Sequence, residues 1–331
     1  MTPLLTALVH VLYVAVFMLA TGAILIWMLR KVLGHAHLRL GPTELGPWGL
    51  AQLIPDILKL VVKEDRHPTN SDRWIYIIAP FLVFVPSMTA YAAIPFSESI
   101  IAADINLGAM MTLAFLTVVP LGIFAAGWGG RNKYGLLGAA RALGGAISYE
   151  IPLILAVISP VMLAGSANLV DIVNAQASSA WYGIVAFPAM VVFFIAGLME
   201  TNQPPFDMSE AESELVAGFS TEYSAMRFGL MYVAEFSNTF LMSAMLTVLF
   251  LGGWTLPFVP NEVIAPVAPI IRLIKSYLVV FLMMMIRGIL SRLRVDRYMH
   301  FGWKTLLPFT IVWTVLLAFG VKAFQMWGGG L

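Results

Sequence analysis

No cysteine occurs in the 331 residues, and charge of either sign is scarce, with Asp, Glu, Lys and Arg together making up 11% of the chain. The first absence excludes structural disulfides, thiolate zinc sites and cysteine-ligated iron–sulfur clusters within the chain, so a redox centre of that kind has to sit in a partner. The second lies far below the roughly 25% charged residues of soluble domains. With 60% hydrophobic residues, it marks an integral membrane protein. A formal net charge of +1 and the lack of a basic face leave nothing for nucleic acid to bind. The N-terminus also lacks a basic n-region. Its uncharged run over 2–29 is too long for the apolar core of a signal peptide and reads as a retained membrane helix.

What is present is a series of apolar runs near the roughly 20 residues a bilayer requires, at 4–29, 74–95, 107–127, 135–164, 181–200, 228–252, 269–290 and 303–325. They predict an all-α integral membrane protein of about eight transmembrane helices, forming a single membrane domain over 1–331. The segments 30–73, 128–134, 201–227 and 287–304 hold fifteen of the nineteen Lys and Arg residues, whereas 96–106, 165–180 and 253–268 hold none. By the positive-inside rule both termini face outward. No internal repeat of the kind found in inverted-repeat transporters is visible.

The first basic segment contains a polar-faced helix in which Gln52, Asp56, Lys59 and Lys63 recur at i, i+4, i+7 and i+11 among Leu, Ile and Val. It is too short to span and is expected to lie in the cytoplasmic interface, with Trp48 at headgroup depth and Pro55 kinking it. His35 and His37 have no third and fourth ligand nearby, so they read as interfacial histidines and no metal site is expected.

The most unusual stretch is 200–223, where six of the chain's eighteen acidic residues fall within twenty-four positions: Glu200, Asp207, Glu210, Glu212, Glu214 and Glu222. Two readings fit the local pattern. Pro204 and Pro205 forbid a helix, and Ser209 with Glu212 has the form of a capping box opening a new one, so the carboxylates could be caps in a solvated loop. Alternatively Asp207, Glu210 and Glu214, at i, i+3 and i+7, share one helical face, raise one another's pKa and pass protons.

Ionisable residues also occur inside spans, where they are functional candidates by default. Glu150 lies near the middle of the fourth span and Glu235 eight residues into the sixth. Arg141 is near enough to the cytoplasmic end to snorkel, and it cannot pair with Glu150 on the same helix. A polar clamp between helices is the other use such residues have. The last basic segment, from Arg287, follows the positive-inside rule, and Asp296 is offered Arg292 or Arg297 as a partner.

Taken together, these residues resemble the H subunit of bacterial NADH:quinone oxidoreductase, respiratory complex I, the homologue of mitochondrial NADH dehydrogenase subunit 1. Glu200-Thr201-Asn202-Gln203-Pro204-Pro205-Phe206-Asp207, continuing through Glu210, Glu212, Glu214 and Gly218-Phe219, is similar to that family's long acidic signature. Ser148-Tyr149-Glu150, Glu222-Tyr223, Ala234-Glu235-Phe236, Gly41-Pro42, Lys63-Glu64 and Arg292-Leu293-Arg294 fall in the family's order, so the likeness covers nearly the whole chain.

The resemblance implies a proton-translocating subunit of the prokaryotic cytoplasmic membrane that does no redox chemistry itself. It forms the membrane part of a tunnel for ubiquinone or menaquinone, beside peripheral-arm subunits that carry the flavin and iron–sulfur clusters. Small and antiporter-like membrane subunits are its other expected partners. Glu150, Glu200, Asp207, Glu210, Glu212, Glu214 and Glu235 match the carboxylates linking the quinone cavity to the antiporter-like subunits, with Arg141 beside them. Arg30, Arg39, Asp56, Arg287 and Arg294 match positions at or near the quinone channel. The chain departs from the family at Leu29 (Glu), His37 (Gln) and Gln203 (Arg), two of which change charge near the expected cavity. A related hydrogenase subunit without quinone and an unrelated secondary transporter are the rival functions.

Overall fold

The computed structural model describes residues 3–98, 100–257, 259 and 264–326, and all regular structure among them is helical. The first helix, α1 (Pro3–Ala36), has 34 residues. At 1.5 Å per residue it is about 50 Å long against an apolar layer of about 30 Å, so it extends beyond the apolar layer. A tight turn over Pro47–Gln52 then leads into the amphipathic α2 (Leu53–Val62). The expected kink at Pro55 is absent, because Pro55 sits in the first turn, where no N–H is needed. The chain bends instead at Trp48 and Gly49, with φ of 60° and 76°. The Trp48 carbonyl accepts the Trp27 indole N–H at 3.2 Å, tying this corner to α1.

Helices α3 (Arg73–Ala92), α4 (Gly108–Leu116), α5 (Val119–Gly129) and α6 (Lys133–Ala164) follow. The run 107–127 is broken between α4 and α5 because Pro120 has no N–H for the Leu116 carbonyl. Small residues let α5 and α6 touch backbone to backbone. A Cβ on Gly127 would fall 2.4 Å from both the Ala139 Cβ and the Gly135 carbonyl, the kind of contact that holds helices together where lipid removes the hydrophobic drive.

After α7 (Leu169–Ser178), the run 181–200 forms a single turn, α8 (Tyr182–Val185), and α9 (Phe187–Glu200), separated at Ala186. Pro188 at the start of α9 cannot donate to the Ile184 carbonyl, so the helix restarts there. Among the described residues, seven helical stretches are therefore long and apolar enough to cross a membrane, and the fourteen-residue α9 is a shorter apolar helix at the eighth expected position.

Two further elements, the short α10 (Glu212–Leu215) and the axial helix α11 (Ala225–Phe250), come next. Every residue of α11 from Phe236 to Phe250 is buried by its neighbours. Tyr91 of α3 donates to the Ser237 carbonyl at 2.6 Å, and the Ser237 hydroxyl donates to the Met18 carbonyl of α1 at 3.1 Å, so three helices share one polar contact. The chain closes with α12 (Ala268–Ile289), α13 (Val295–Phe301), a wide turn over Gly302–Leu306 and α14 (Leu307–Met326).

Candidate functional site

The acidic stretch does not form the helix that its spacing suggests. From Thr201 to Ala211 the backbone is turns and bends, Pro204–Pro205 is cis, and between Thr201 and Tyr223 only Glu212–Leu215 is α-helical, followed by a single 3-10 turn at Gly218–Ser220. Asp207, Glu210 and Glu214 therefore share no helical face. The capping box is absent too: Ala211 is the residue before the helix, and the buried Ser209 hydroxyl has no hydrogen-bond partner among the described residues.

Tertiary contacts set the path of this loop. Gly218, at φ +55°, lets the Ser209 carbonyl approach so closely that a Cβ there would lie 1.7 Å from it. Gly138 of α6 leaves room for the same carbonyl, with 2.6 Å to a notional Cβ, and so the loop seats on α6. The segment after α12 locks it from the other side. Leu293 N–H donates to the Pro205 carbonyl at 3.0 Å, Arg292 pairs with Asp207 at 2.7 Å, and Phe206 meets the Tyr298 ring edge-on at 5.8 Å. Arg292 thus serves Asp207 rather than Asp296, which stands in the first turn of α13.

The carboxylates divide into three kinds by what they touch. Asp207 and Glu214 are ion-paired, to Arg292 and Arg141. In Glu214 the hydrogen bond and charge of Arg141 hold the carboxyl below the usual carboxylate range, with Arg292 and Arg294 adding to the effect. This is the reverse of the mutual raising expected for a row of like charges. Glu222 is structural, accepting from Asn132 Nδ2 at 2.8 Å just ahead of α6. Glu150, Glu200 and Glu235 lie inside the bundle. The last two line a small, partly open cavity of about 20 Å³ with Thr201, Asn202 and Asn238, walled by Val83, Val119, Ile123, Phe219 and Met231. Glu210 and Asp207 lie within electrostatic range of Glu235. The Glu212 side chain lies outside the described residues.

Glu200 ends α9 and is buried. Both the Tyr149 hydroxyl and Glu150 lie within electrostatic range of it. Glu235 faces a cationic neighbour from α12: Arg287 lies within electrostatic range of it. The Arg287 guanidinium donates to Gln203 Oε1 at 2.7 Å, and Gln203 Nε2 reaches the Thr239 hydroxyl at 3.4 Å, one turn along from Glu235.

A second polar group forms where α1 meets α2. Arg30 pairs with Asp56 at 2.5 Å, Gln52 Nε2 donates to Asp56 at 3.3 Å, and Arg39 contacts His37 Nδ1 at 3.2 Å. Tyr232 of α11 joins the two groups, within electrostatic range of Arg30 on one side and of Glu235, Arg287 and Glu210 on the other. Arg294 precedes α13 and completes the basic edge of the acidic loop. Leu29, by contrast, is buried in the hydrophobic core. Among the described residues no group of three or more His, Asp and Glu side chains could hold a metal ion.

Sequence reading passed over several polar residues of the interior. Asn238, three residues after Glu235, and Tyr149, beside Glu150, both carried the signal of a polar group within an apolar span. So did Arg272 and Lys275. Arg272 is 1% exposed, stacked 4.5 Å from the Phe96 ring, and its side-chain nitrogens find no hydrogen-bond partner among the described residues. Lys275 donates to the Leu251 and Thr255 carbonyls at 2.7 and 2.6 Å.

The fold and this interior define an all-helical, multi-pass membrane protein with carboxylates enclosed between its helices and an acidic loop clamped over one end. The model of the NADH dehydrogenase family matches residues 9–318, and the chain belongs to that family. Similar proteins include the H subunit of the NADH-quinone oxidoreductase of Paraburkholderia phymatum, 40% identical over 97% of this chain and 93% of the relative's. The corresponding protein of Rhodospirillum centenum is 42% identical over 93% and 92%. That of Dehalococcoides mccartyi strain 195 is 41% identical over 96% and 87%.

Proposed function

We propose that this chain is the membrane subunit of a proton-translocating NADH:quinone oxidoreductase that walls the membrane end of the quinone site and links quinone reduction to proton movement. The observation that carries this reading is the pair Glu200 and Glu235 lining one small cavity between the helices, in a member of this family. Reduction of a quinone to a quinol consumes two electrons and two protons. The chain has no cysteine to ligate an iron–sulfur cluster, so the electrons come from flavin and clusters of peripheral-arm partners. Its own residues position the quinone and handle charge.

In this reading Arg30, Asp56 and Arg39, with Arg287 and Arg294 beyond them, edge the quinone cavity, which the peripheral arm completes. Glu235, Glu200 and Glu150 then form the interior path, with Asp207, Glu210, Glu212 and Glu214 at its loop end and Arg141 holding the last of them. Buried carboxylates in a low-dielectric site exchange protons when a neighbouring charge changes. The path leads toward small and antiporter-like membrane subunits. In this reading the acidic loop and α2 face the cytoplasm and both termini face outward, an orientation that the Lys and Arg distribution supports.

The test is removal of the chain from its host. Membranes should lose NADH-driven quinone reduction and the accompanying pH gradient, and both should return when the intact chain is restored. Undiminished coupled reduction without the chain would overturn the assignment.

A further inference from the structure

The most isolated charge of the interior lies at the end of the bundle opposite the acidic loop. Arg272, in the second turn of α12, is 1% exposed, and none of its three side-chain nitrogens has a hydrogen-bond partner among the described residues. The Phe96 ring covers one face of the guanidinium at 4.5 Å. That contact supplies no acceptor, and a buried cation without one is strongly unfavourable. The polar groups nearby do not serve it. Tyr91 donates its hydroxyl to the Ser237 carbonyl at 2.6 Å, and Lys275 is itself a cation, held by the Leu251 and Thr255 carbonyls. Glu98, two residues after Phe96, is exposed and makes no ion pair with Arg272 among the described residues.

A second unpaired group faces the first. Tyr13 of α1 packs edge-on against Phe96 at 6.1 Å and lies within electrostatic range of Arg272, yet its hydroxyl has no hydrogen-bond partner among the described residues. Depth brings the two together as well. Along their helices Tyr13 stands about 26 Å from Arg30 and Arg272 about 23 Å from Arg287. Across an apolar layer of about 30 Å, both therefore sit just inside the leaflet opposite the basic segments. Phe96 belongs to the same end, in the segment 96–106 that holds no Lys or Arg. Tyr13 is 39% exposed and borders a stripe of exposed apolar side chains on α1, Val9, Leu12 and Val16, at i, i+3 and i+7.

We propose that Arg272 and Tyr13 form a binding site for the phosphate of a phospholipid headgroup in the leaflet opposite the acidic loop, with an acyl chain lying along the α1 stripe. The two side chains present N–H and O–H donors and no carboxylate, so they call for an anion with several acceptor oxygens. Phosphate matches the planar fork of arginine bidentately. The apolar stripe favours a lipid over a free anion, which has no hydrocarbon to place there. The aliphatic stem of arginine lets the guanidinium turn from Phe96 toward the headgroup layer. In the orientation proposed above this is the outer leaflet, but the site depends neither on that orientation nor on the proton path.

The probe is phosphatidylglycerol carrying a photoactivatable group beside its headgroup, added to the whole complex purified in detergent and washed free of phosphate. Labelling of this chain should fall on the segments that carry Tyr13, Phe96 and Arg272. Unlabelled phosphatidylglycerol should compete, whereas a phosphate-free galactolipid and inorganic phosphate should not. Arg272→Met should weaken the apparent affinity at least about tenfold, as the loss of charge-assisted hydrogen bonds requires, and Arg272→Lys should keep most of it. Tyr13→Phe, which removes only the hydroxyl, should weaken it by a smaller factor. Equal labelling of the Arg272→Met and unmodified complexes overturns the proposal. So does competition by the galactolipid, which would mean that hydrocarbon alone holds the lipid, or by inorganic phosphate, which would make the ligand a free anion. Independently of any variant's assembly, a high-resolution map of the unmodified complex in phosphatidylglycerol nanodiscs should show a headgroup phosphate within about 3.2 Å of the Arg272 guanidinium. Water alone at that place, or a carboxylate of a neighbouring subunit, overturns the proposal.

Discussion

Arg141 of α6 and Glu214 of the acidic loop, seventy-three residues apart, form a hydrogen-bonded ion pair. Arg141 therefore has a use beyond snorkelling, and Glu214 is held as an anion at neutral pH. Because the folded-state pKa of Glu214 is depressed, its contribution to stability is present above the ordinary carboxylate value and fades as pH falls through the lowered one. Acid should thus release the loop from α6. Arg141→Gln should remove this component, leaving the thermal midpoint of the purified complex less dependent on pH below about 5 than in the unmodified protein. Parallel pH profiles for the two would show that the pair does not hold the loop.

Asp207 is the better shielded of the paired carboxylates, at 13% side-chain exposure, and Arg292 is held beside it by the adjoining Leu293–Pro205 hydrogen bond. Arg292→Ala should cost about 1 kcal/mol, the upper end for partly exposed pairs. Arg292→Lys should fall between, since an ammonium keeps the charge but not the planar fork. Denaturation of the detergent-solubilised complex measures both. Identical midpoints for Ala and the unmodified chain would refute a structural role.

The spans were legible in the sequence because burial in lipid demands an apolar run whatever its neighbours are. Their interruptions at Pro120 and Pro188 were legible only in principle, since proline within an apolar run marks a possible break without saying whether α3 or α6, with their own internal prolines, will break too. The acidic loop was misread for a different reason. Counting i, i+3 and i+7 assumes a helix, while the actual path of 201–218 is set by Arg292, Arg141, Gly138 and Gly218, partners far away in the chain or invisible to periodicity. The same holds for Glu214: its charge environment depends on Arg141 across the fold rather than on Glu210 beside it. Glu235 and Glu150 were found because an acid in an apolar span needs an explanation, and Asn238 gave the same signal in a weaker form.

The orientation proposed from the Lys and Arg distribution is easy to test because the chain has no native cysteine. A single cysteine at Lys322 should react with a membrane-impermeant thiol reagent in intact cells, and one at Lys133 should react only after the membrane is opened. The reverse pattern would invert the topology.

Gln203, where the sequence resemblance leads one to expect arginine, accepts from Arg287 at 2.7 Å. Gln203→Arg would remove that acceptor and set two guanidinium groups side by side. Restoring Leu29→Glu at the same time would not compensate, because the Leu29 side chain is buried in the core and a carboxylate there would be costly. Gln203→Arg alone should shift the apparent affinity for quinone analogues by more than tenfold, about 1.4 kcal/mol. Unchanged kinetics would place Gln203 and Arg287 outside the quinone cavity.

Glu214→Gln separates a proton-handling loop from a merely capped one. Glutamine keeps the shape and an acceptor oxygen for Arg141 while removing the titrating group. Ser209 caps nothing, since its hydroxyl has no partner among the described residues, so Ser209→Ala should be neutral, where a true cap would cost roughly 1 kcal/mol. If Glu214 only anchors the loop, Glu214→Gln should behave as a weakened surface contact, with small losses in stability and full coupled turnover. If it passes or senses protons, the ion pair with Arg141 must open and reform during turnover. The uncharged side chain should then leave the complex assembled while quinone reductase activity and the pH gradient fall together. The second outcome is expected on the proposed reading, in which the acidic loop is the outer end of the carboxylate path and its Glu210 and Asp207 lie within electrostatic range of Glu235. Quinone reductase and pH-gradient assays on membranes of matched complex content decide it, and a fully active, fully coupled Glu214→Gln complex would remove this residue from the path.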